Sequence, residues 1–538
     1  MARTLPPLGD LPTHSVTNQP PEPGDRDLWA DDAALRAAAA GAGADLAALA
    51  RHGPVLGTAA LREAGREANR VPPVLRGFDR AGRRLDEVTF HPAYHEFLRL
   101  GLAAGYAACA WEGGAGGHAT HAALVYLHSQ VEPGTCCPMT MTHAAVPLLA
   151  GLPDWRARAL SRRYDPAVAP MELKAGVTLG MAMTEKQGGS DLRATATRAE
   201  ADGGGWRLTG HKWFCSAPMS DGFLTLALAP DGIGCFLVPR WLPDGRNAIR
   251  LMRLKDKLGN RANASAEIEY ERAYALRLGE AGRGIATIIA MVHETRLDTA
   301  IAPAGLMRAA LSEAHRWVLH RTAFQRRLID QPLMRAVLAD LCLDWEAATA
   351  LGFRVARAFD GDGPEDRAFA RIAVALAKFL ANRRCVSVVA EAMEVLGGMG
   401  YVEDTDLPLL YREAPLNGIW EGSGNVICLD ALRTLSREPA AAAALEGELD
   451  AARGADRRFD AALADFRARW PGPVPEAEAR AFVERAALLL SAAVLLRTAP
   501  APVAEGYVGA RLPPQGLTPG TAGGLDTAAI LARLSPDG

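Results

Sequence analysis

Two hydroxyls, two glycines and two acids fall together in Met183-Thr184-Glu185-Lys186-Gln187-Gly188-Gly189-Ser190-Asp191. The glycines let a backbone turn closely against a flat, anionic ligand. Thr184 and Ser190 can each donate and accept a hydrogen bond, as a ring edged by alternating donors and acceptors requires. An ordinary polar turn has the same letters, because short motifs recur by chance. Other candidates are weaker. His91 and His95 stand at i and i+4 with Glu96 following, but no third ligand of metal-site spacing accompanies them. His118 and His121 read as one helix face. Gly113-Gly114-Ala115-Gly116-Gly117 lacks the strand that a dinucleotide fingerprint must follow. Gly422-Ser423-Gly424 lacks the strand–turn–helix setting of a nucleophile elbow.

The elements that would position these groups follow from texture. The chain has 538 residues, about half of them hydrophobic, which is room for three or four domains. Prolines 6, 7, 12, 20, 21 and 23 make residues 1–30 an extended arm. Residues 31–175 carry Ala and Leu at helical spacing, broken at Val71-Pro72-Pro73 and Gly151-Leu152-Pro153. Between 176 and 281 short alternating runs appear, at Gly205–Gly210, Phe223–Ala229, Gly234–Val238, Ile249–Leu254 and Ala266–Tyr270. Asp-Gly turns separate them, and the pattern predicts a small antiparallel β domain. Helical spacing returns over 282–435. Residues 436–538 form an alanine-rich helical extension with a proline- and glycine-rich stretch at Pro500–Gly524. The predicted class is helical with a central small β domain.

A net charge of −3 argues against a purely electrostatic polyanion binder. The eight cysteines show no C-x-x-C pair, and such scattered cysteines fit a reducing, cytoplasmic setting. The start of the chain has no apolar signal core, and no uncharged run of about 18 apolar residues predicts a membrane span.

The loop at 183–191 resembles the first signature of the acyl-CoA dehydrogenase flavoproteins, and other segments resemble the same family. Lys257-Leu258-Gly259-Asn260-Arg261 is similar to its K-L-G-x-R. Glu394-Val395-Leu396-Gly397-Gly398-Met399-Gly400-Tyr401 is similar to the turn that faces a neighbouring subunit's flavin diphosphate. Ile419-Trp420-Glu421-Gly422-Ser423-Gly424-Asn425 is similar to the Y-E-G-T loop, and Arg321-Thr322-Ala323-Phe324 with Gln331 to an element touching FAD across the dimer. Several strings, among them Gly210-His211-Lys212-Trp213-Phe214, Leu254–Asn260, Phe90-His91-Pro92-Ala93 and Pro239-Arg240, resemble the AidB-like alkylation-response branch. The likeness runs from about Thr13 to the tail.

The resemblance implies an acyl-CoA dehydrogenase fold: helical domain, β-barrel middle domain and helical bundle, here with a C-terminal extension. It implies FAD, held by Met183, Thr184, Gly189, Ser190, Trp213, Phe214 and Ser216, by Ile419, Trp420, Gly422, Ser423, Gly424 and Asn425, and, across a homotetramer, by Arg321, Phe324, Gln331, Gly397 and Gly398. It makes Glu421 the base. A carboxylate buried beside an apolar acyl chain has its pKa raised toward the working pH, as a base requires; a loop acid capping a turn is the other account of Glu421. The helix position that carries the base in some relatives is Thr295 here, with Glu294 beside it as an alternative. Trp213 is either a face for the ring or a core aromatic, and Arg321 either a phosphate partner or a solvated residue. Glu394 departs from the family's glutamine and would have to point away from a diphosphate.

The branch further implies a role in the response to DNA alkylation, weak or specialised dehydrogenase activity on an acyl-CoA or an alkylating small molecule, and duplex DNA binding by the extension. Arg453, Arg457 and Arg458 are the DNA candidates, expected on one side of a helix. Against this, residues 436–538 hold 11 Arg, no Lys and 13 acids, so these arginines equally suit pairing with neighbouring aspartates. An ordinary short- or branched-chain acyl-CoA dehydrogenase without a DNA role is the alternative, and a flavoprotein persisting as a scaffold is a third reading.

Overall fold

The computed structural model describes Leu5 and residues 7–513 and 524–534. The proline-rich arm is tied down by its backbone. Arg62 takes the Pro23 and Gly24 carbonyls, Arg316 takes that of Pro21, and Arg321 that of Asn18. Seven helices follow: α1 (Ala33–Ala42), α2 (Leu46–Leu56), α3 (Ala59–Arg70), α4 (Pro92–Ala104), α5 (Gly117–Ser129), α6 (Cys136–Ala145) and α7 (Pro153–Ala159). Side-chain caps from Asp32, Asp45 and Thr58 start the first three by accepting from backbone N–H groups. One correction falls here. The break at Val71-Pro72-Pro73 leads into a hairpin, β1 (Val74–Phe78) and β2 (Arg84–Thr89), rather than another helix. Asp79 fixes its turn by accepting from Ala81 and Arg83. Asp86, at left-handed φ +52°, accepts from the Leu251 N–H and so docks the hairpin on the middle domain.

The middle domain comprises β3 (Leu179–Ala182), β4 (Arg198–Asp202), β5 (Gly205–Ser216), β6 (Gly222–Ala229), β7 (Gly232–Pro239), the short pair β8 (Trp241–Leu242) and β9 (Gly245–Arg246), β10 (Ile249–Leu254) and β11 (Ser265–Leu278). Strand β11 pairs with β5 along most of its length, then with β7 at Leu276–Leu278. With β5–β4, β4–β6 and β6–β7 this closes a barrel. The expected purely antiparallel sheet is corrected, since β3 and β4 both run parallel to β6. The strand expected to stop at Gly210 continues to Ser216. At Gly210 (φ +156°) a Cβ would lie 2.7 Å from the Thr197 Cα, and register shifts at Ala266/Ile268 and Glu271/Ala273 bend the pair without ending it.

Three long helices form the bundle: α8 (Gly284–His320), α9 (Pro332–Asp360) and α10 (Pro364–Val395). The apolar residues of α8 and α10 are spread round the helix rather than striped, because each is packed on several sides. A two-residue hairpin, β12 (Thr322–Ala323) and β13 (Arg326–Arg327), joins α8 toward α9, and α11 (Leu407–Glu413) and α12 (Gly424–Arg437) complete this part. The extension is α13 (Pro439–Asp450), α14 (Arg457–Arg469), α15 (Ala479–Thr498), α16 (Ala501–Arg511) and α17 (Thr527–Ala532). It belongs to the main core: Arg511 of α16 pairs with the buried Asp344 of α9 at 3.0 Å, and Arg533 with Glu346 at 2.5 Å. The proline- and glycine-rich stretch at Pro500–Gly524 is helical from Ala501 to Arg511; residues 514–523 lie outside the described residues. No helix among the described residues is long and apolar enough to cross a membrane.

Candidate active site

The loop after β3 is set by Glu185. Its side chain is almost fully buried and accepts from Lys212 Nζ at 2.7 Å, Thr195 Oγ1 at 2.6 Å, Thr197 Oγ1 at 2.7 Å and the Ala196 N–H at 2.7 Å. Burial opposes the charge, but these donors outweigh it and hold the carboxyl well below its usual range. Glu185 thus pins the loop to β5 and leaves Thr184 and Ser190 as its free hydroxyl bearers. Gly189 lies so close to Thr184 that a Cβ there would sit 2.3 Å from its Oγ1. The Trp213 N–H donates to the Thr184 carbonyl at 2.7 Å, which brings the β5 aromatic beside the loop. Lys255 Nζ stands 3.4 Å from the centre of the Trp213 indole, so one face of that ring is already covered by a cation. Phe214 is exposed, and Ser216 Oγ lies 3.1 Å from Ser265 Oγ.

Glu421 sits in the turn between α11 and α12 with φ +55°, a left-handed conformation uncommon for a residue with a side chain, followed by Gly422 at φ +101°. The surroundings fix this turn. Lys378, buried on α10, donates to the carbonyls of Asn417 at 2.9 Å and Gly422 at 2.8 Å. Arg296 donates to the Glu421 carbonyl at 3.3 Å and is anchored by Asp430 at 2.6 Å. Trp420 Nε1 donates to Asn417 Oδ1 at 2.7 Å. The Glu421 carboxylate accepts from Thr295 Oγ1 at 2.6 Å. Burial raises the Glu421 pKa, partly opposed by that hydroxyl and by the charges of Lys378 and Arg296. The structure gives Thr295 a partner role that the sequence did not reveal; only its place beside Arg296 pointed there. Glu294, the alternative base, faces His118 and His143 instead.

Loop, barrel and base meet through one apolar cluster. Met141 of α6, Leu179 of β3 and Met291 of α8 are buried in it, and Met183, Leu192, Trp111 and Trp420 pack against it. Cys137 is buried with them; burial pushes its thiol up to about 12, while Lys257, Glu421 and the Ser216 hydroxyl lie near enough to act on it. Met183, Trp420, Ser216 and Glu421 therefore border one region. Ile419, Ser423 and Asn425 are exposed at its edge, and Gly424 is buried at the start of α12.

Arg321, Phe324 and Gln331 lie elsewhere. They cluster at the end of α8, roughly 40 Å from Thr295 by helical rise. Arg321 donates to the Asn18 carbonyl at 2.7 Å and Gln331 to the Ala323 carbonyl at 3.0 Å. Phe324 is 93% exposed in a turn where it and Gln325 both have left-handed φ. Gly397 and Gly398 open on free space, and Glu394 points outward.

His118 and His121 both belong to α5, where they are buried, together with His143, among carboxylates. One sequence reading is corrected. Arg453, Arg457 and Arg458 do not share a helix. Gly454 (φ +83°) turns the chain, and Asp456 caps α14, which begins at Arg457. Arg458 pairs with Asp456 at 2.6 Å and Arg453 with Asp450 at 3.8 Å.

Residues 18–166 match the AidB N-terminal domain of adaptive response proteins, 180–273 the acyl-CoA dehydrogenase middle domain and 282–436 its C-terminal domain. The chain is 46% identical over 507 residues to the putative acyl-CoA dehydrogenase AidB of Escherichia coli K12, covering 92% of this chain and 94% of that protein. It belongs to the AidB branch of the acyl-CoA dehydrogenase family. Caenorhabditis elegans ACDH-11, solved in complex with C11-CoA, superposes with TM-score 0.81 at 26% identity over 97% of this chain and 93% of that one. An acyl-CoA dehydrogenase of Bacillus anthracis, complexed with FAD, shares the fold at TM-score 0.63 and 17% identity, over 77% of this chain and 79% of that one.

Membership makes this AidB-type chain an FAD-dependent oxidoreductase of acyl-CoA dehydrogenase type. Its residues fit that cofactor. Thr184 and Ser190 offer hydroxyls at the Gly188-Gly189 turn, Ser216 offers another at the end of β5, Trp213 and Phe214 offer aromatic surface, and Ser423 and Asn425 stand exposed at the rim.

Proposed function

We propose that this chain acts as an acyl-CoA dehydrogenase in which Glu421 removes the proton next to the thioester carbonyl. The observation that carries this reading is the half-buried Glu421 carboxylate, its pKa raised by desolvation and one oxygen held by Thr295 at 2.6 Å. Burial keeps the carboxylate basic, and the hydroxyl and the Lys378 turn clamp aim it. Thr184, Ser190, Trp213 and the 419–425 loop would hold FAD, which would supply the acceptor for a hydride from the next carbon. Cys137, Met141 and Trp420 give the region an apolar wall suited to an acyl chain.

The reading extends to a specialised or weak activity within the adaptive response to DNA alkylation, in a cytoplasmic homotetramer. The exposed left-handed Phe324 turn and the open Gly397-Gly398 surface support contact with a neighbour's cofactor. Duplex DNA binding through Arg453, Arg457 and Arg458 is supported by the branch alone, since two of the three are paired with aspartates. The metabolic alternative, a short- or branched-chain enzyme with no DNA role, shares the same Glu421 chemistry.

The test is anaerobic mixing of the FAD-loaded protein with a panel of acyl-CoAs, including isovaleryl-CoA, while following flavin bleaching. Bleaching that Glu421→Gln abolishes without loss of FAD supports the reading. Equal bleaching in the variant removes Glu421 as the base. An FAD-loaded protein that no acyl-CoA in the panel bleaches counts against a thioester substrate.

A further inference from the structure

Beside the base lies a second cluster that dehydrogenation does not use. His118 from the start of α5, His143 from α6 and Glu294 from α8 converge, with one ligand atom of each lying within 4.8 Å of the others. His118 Nε2 is 3.4 Å from Glu294 Oε2, and His143 Nε2 is 3.8 Å from the same oxygen. None of these contacts has hydrogen-bond geometry: His118 Nε2, both nitrogens of His143 and Glu294 Oε2 are buried with no hydrogen-bond partner. Buried polar atoms almost always find a partner, so three side chains whose unpaired atoms converge on one spot require an explanation.

The outer contacts narrow it. His118 Nδ1 lies 3.2 Å from Asp360 Oδ1, and the same carboxylate accepts from the backbone N–H groups of His118 and Ala119. With its proton on Nδ1, His118 turns the Nε2 lone pair toward Glu294, acceptor facing acceptor. Adding a proton there would satisfy that pair but leave both nitrogens of His143 unpaired. One cation between the three side chains would satisfy His118 Nε2, Glu294 Oε2 and one nitrogen of His143 together. Ligands about 2.0–2.1 Å from a tetrahedral ion stand roughly 3.3 Å apart, close to the two shorter separations. A carboxylate behind the imidazole, as Asp360 stands behind His118, is the usual outer support of a metal-bound histidine. The His143 ring stacks on His121 with centroids 3.6 Å apart, and His121 is itself held by the Tyr106 carbonyl and Asp298, both at 2.7 Å.

We propose that His118, His143 and Glu294 form a binding site for one divalent first-row transition-metal ion of the zinc class. Two imidazoles and a carboxylate suit such an ion and leave a coordination position for water. The site ties α5 and α6 to α8 one residue before Thr295, and so bears on the residue that holds Glu421.

The FAD-loaded protein is dialysed against EDTA, incubated with a small excess of Zn2+ and desalted; zinc is then counted by mass spectrometry and flavin by absorbance. One zinc per chain is expected. His118→Gln and Glu294→Gln, with FAD retained, should lose it, because removing a ligand weakens affinity by at least the roughly 10–100-fold that loss of an outer partner costs. X-ray absorption on the zinc-loaded, unsubstituted protein gives a reading that needs no variant, and a shell of two imidazoles with oxygen is expected. No zinc retained after desalting, wild-type zinc in the FAD-loaded variants, or a shell without two imidazoles would overturn the assignment.

Discussion

Replacing Thr295 by valine deletes one hydroxyl at nearly constant volume. That hydroxyl has a single proton to give. Its two acceptors are the Glu421 carboxylate at 2.6 Å and the Val292 carbonyl at 3.1 Å, and the shorter, charged contact takes it. A hydrogen bond to a charged group contributes about 1.5–3 kcal/mol. At 1.36 kcal/mol per unit, its loss raises the Glu421 pKa by roughly 1–2 units. The sign follows from the form stabilised: the hydroxyl favours the carboxylate, so removing it favours the acid. The base acts as carboxylate, so the rate of flavin bleaching climbs as pH rises through this pKa. In Thr295→Val the acid limb should therefore move to higher pH by about 1–2 units. Well below the limb the rate should fall by roughly 10–100-fold, and far above it the rate should not fall at all. Anaerobic stopped-flow bleaching with a fixed acyl-CoA from pH 5 to 9 measures this. An acid limb that stays in place, or moves down, would refute the coupling of Thr295 to the base. A loss of rate equal at every pH would mean that valine displaces the Glu421 turn.

Two further outcomes are expected. Thr184→Val with Ser190→Ala should weaken FAD retention by roughly tenfold or more, since each hydrogen bond contributes about 1 kcal/mol; full flavin content after extended dialysis would place the cofactor contacts elsewhere. If the extension binds duplex DNA through its arginines, Arg457→Ala with Arg458→Ala should lower affinity and shrink the slope of log affinity against log salt by up to about 2. An unchanged slope in fluorescence-polarisation titrations would move the contact to another surface.

The path from sequence to site was legible where chemistry and local conformation coincide. The Gly188-Gly189 turn and the Trp420–Asn425 loop carry their geometry in their letters, and the barrel strands carry theirs in alternation. Other features were hidden for physical reasons. Hairpin β1–β2 follows two prolines, which read the same before a strand as before a helix. The continuation of β5 past Gly210 depends on two bulges in the β5–β11 pair, one in each strand, and such bulges break the alternation that would mark a single long strand. His118 and His121 have the spacing of a helix face whether that face meets water or carboxylates. Only the fold brings Asp360, Glu294 and Asp298, from α9 and α8, against them. Thr295 lies 126 residues from Glu421, so their contact has no local signature.

The arrangement of charge about Glu421 explains why its turn can be held in a left-handed conformation. Lys378 is buried, and burial pushes its pKa down to about 7, yet it faces two carbonyls of the turn rather than the Glu421 carboxylate. A direct ion pair with Lys378 would stabilise the Glu421 carboxylate too strongly and strip it of basicity. By bonding to the backbone, Lys378 fixes the turn's shape while its charge reaches Glu421 only at a distance. Arg296 follows the same pattern: its guanidinium touches the Glu421 carbonyl and spends its charge on Asp430. Among the described residues the carboxylate has one neutral donor, Thr295. Rigid placement and retained basicity make opposite demands on nearby cations, and this turn meets both by directing the cations to the main chain and a hydroxyl to the side chain.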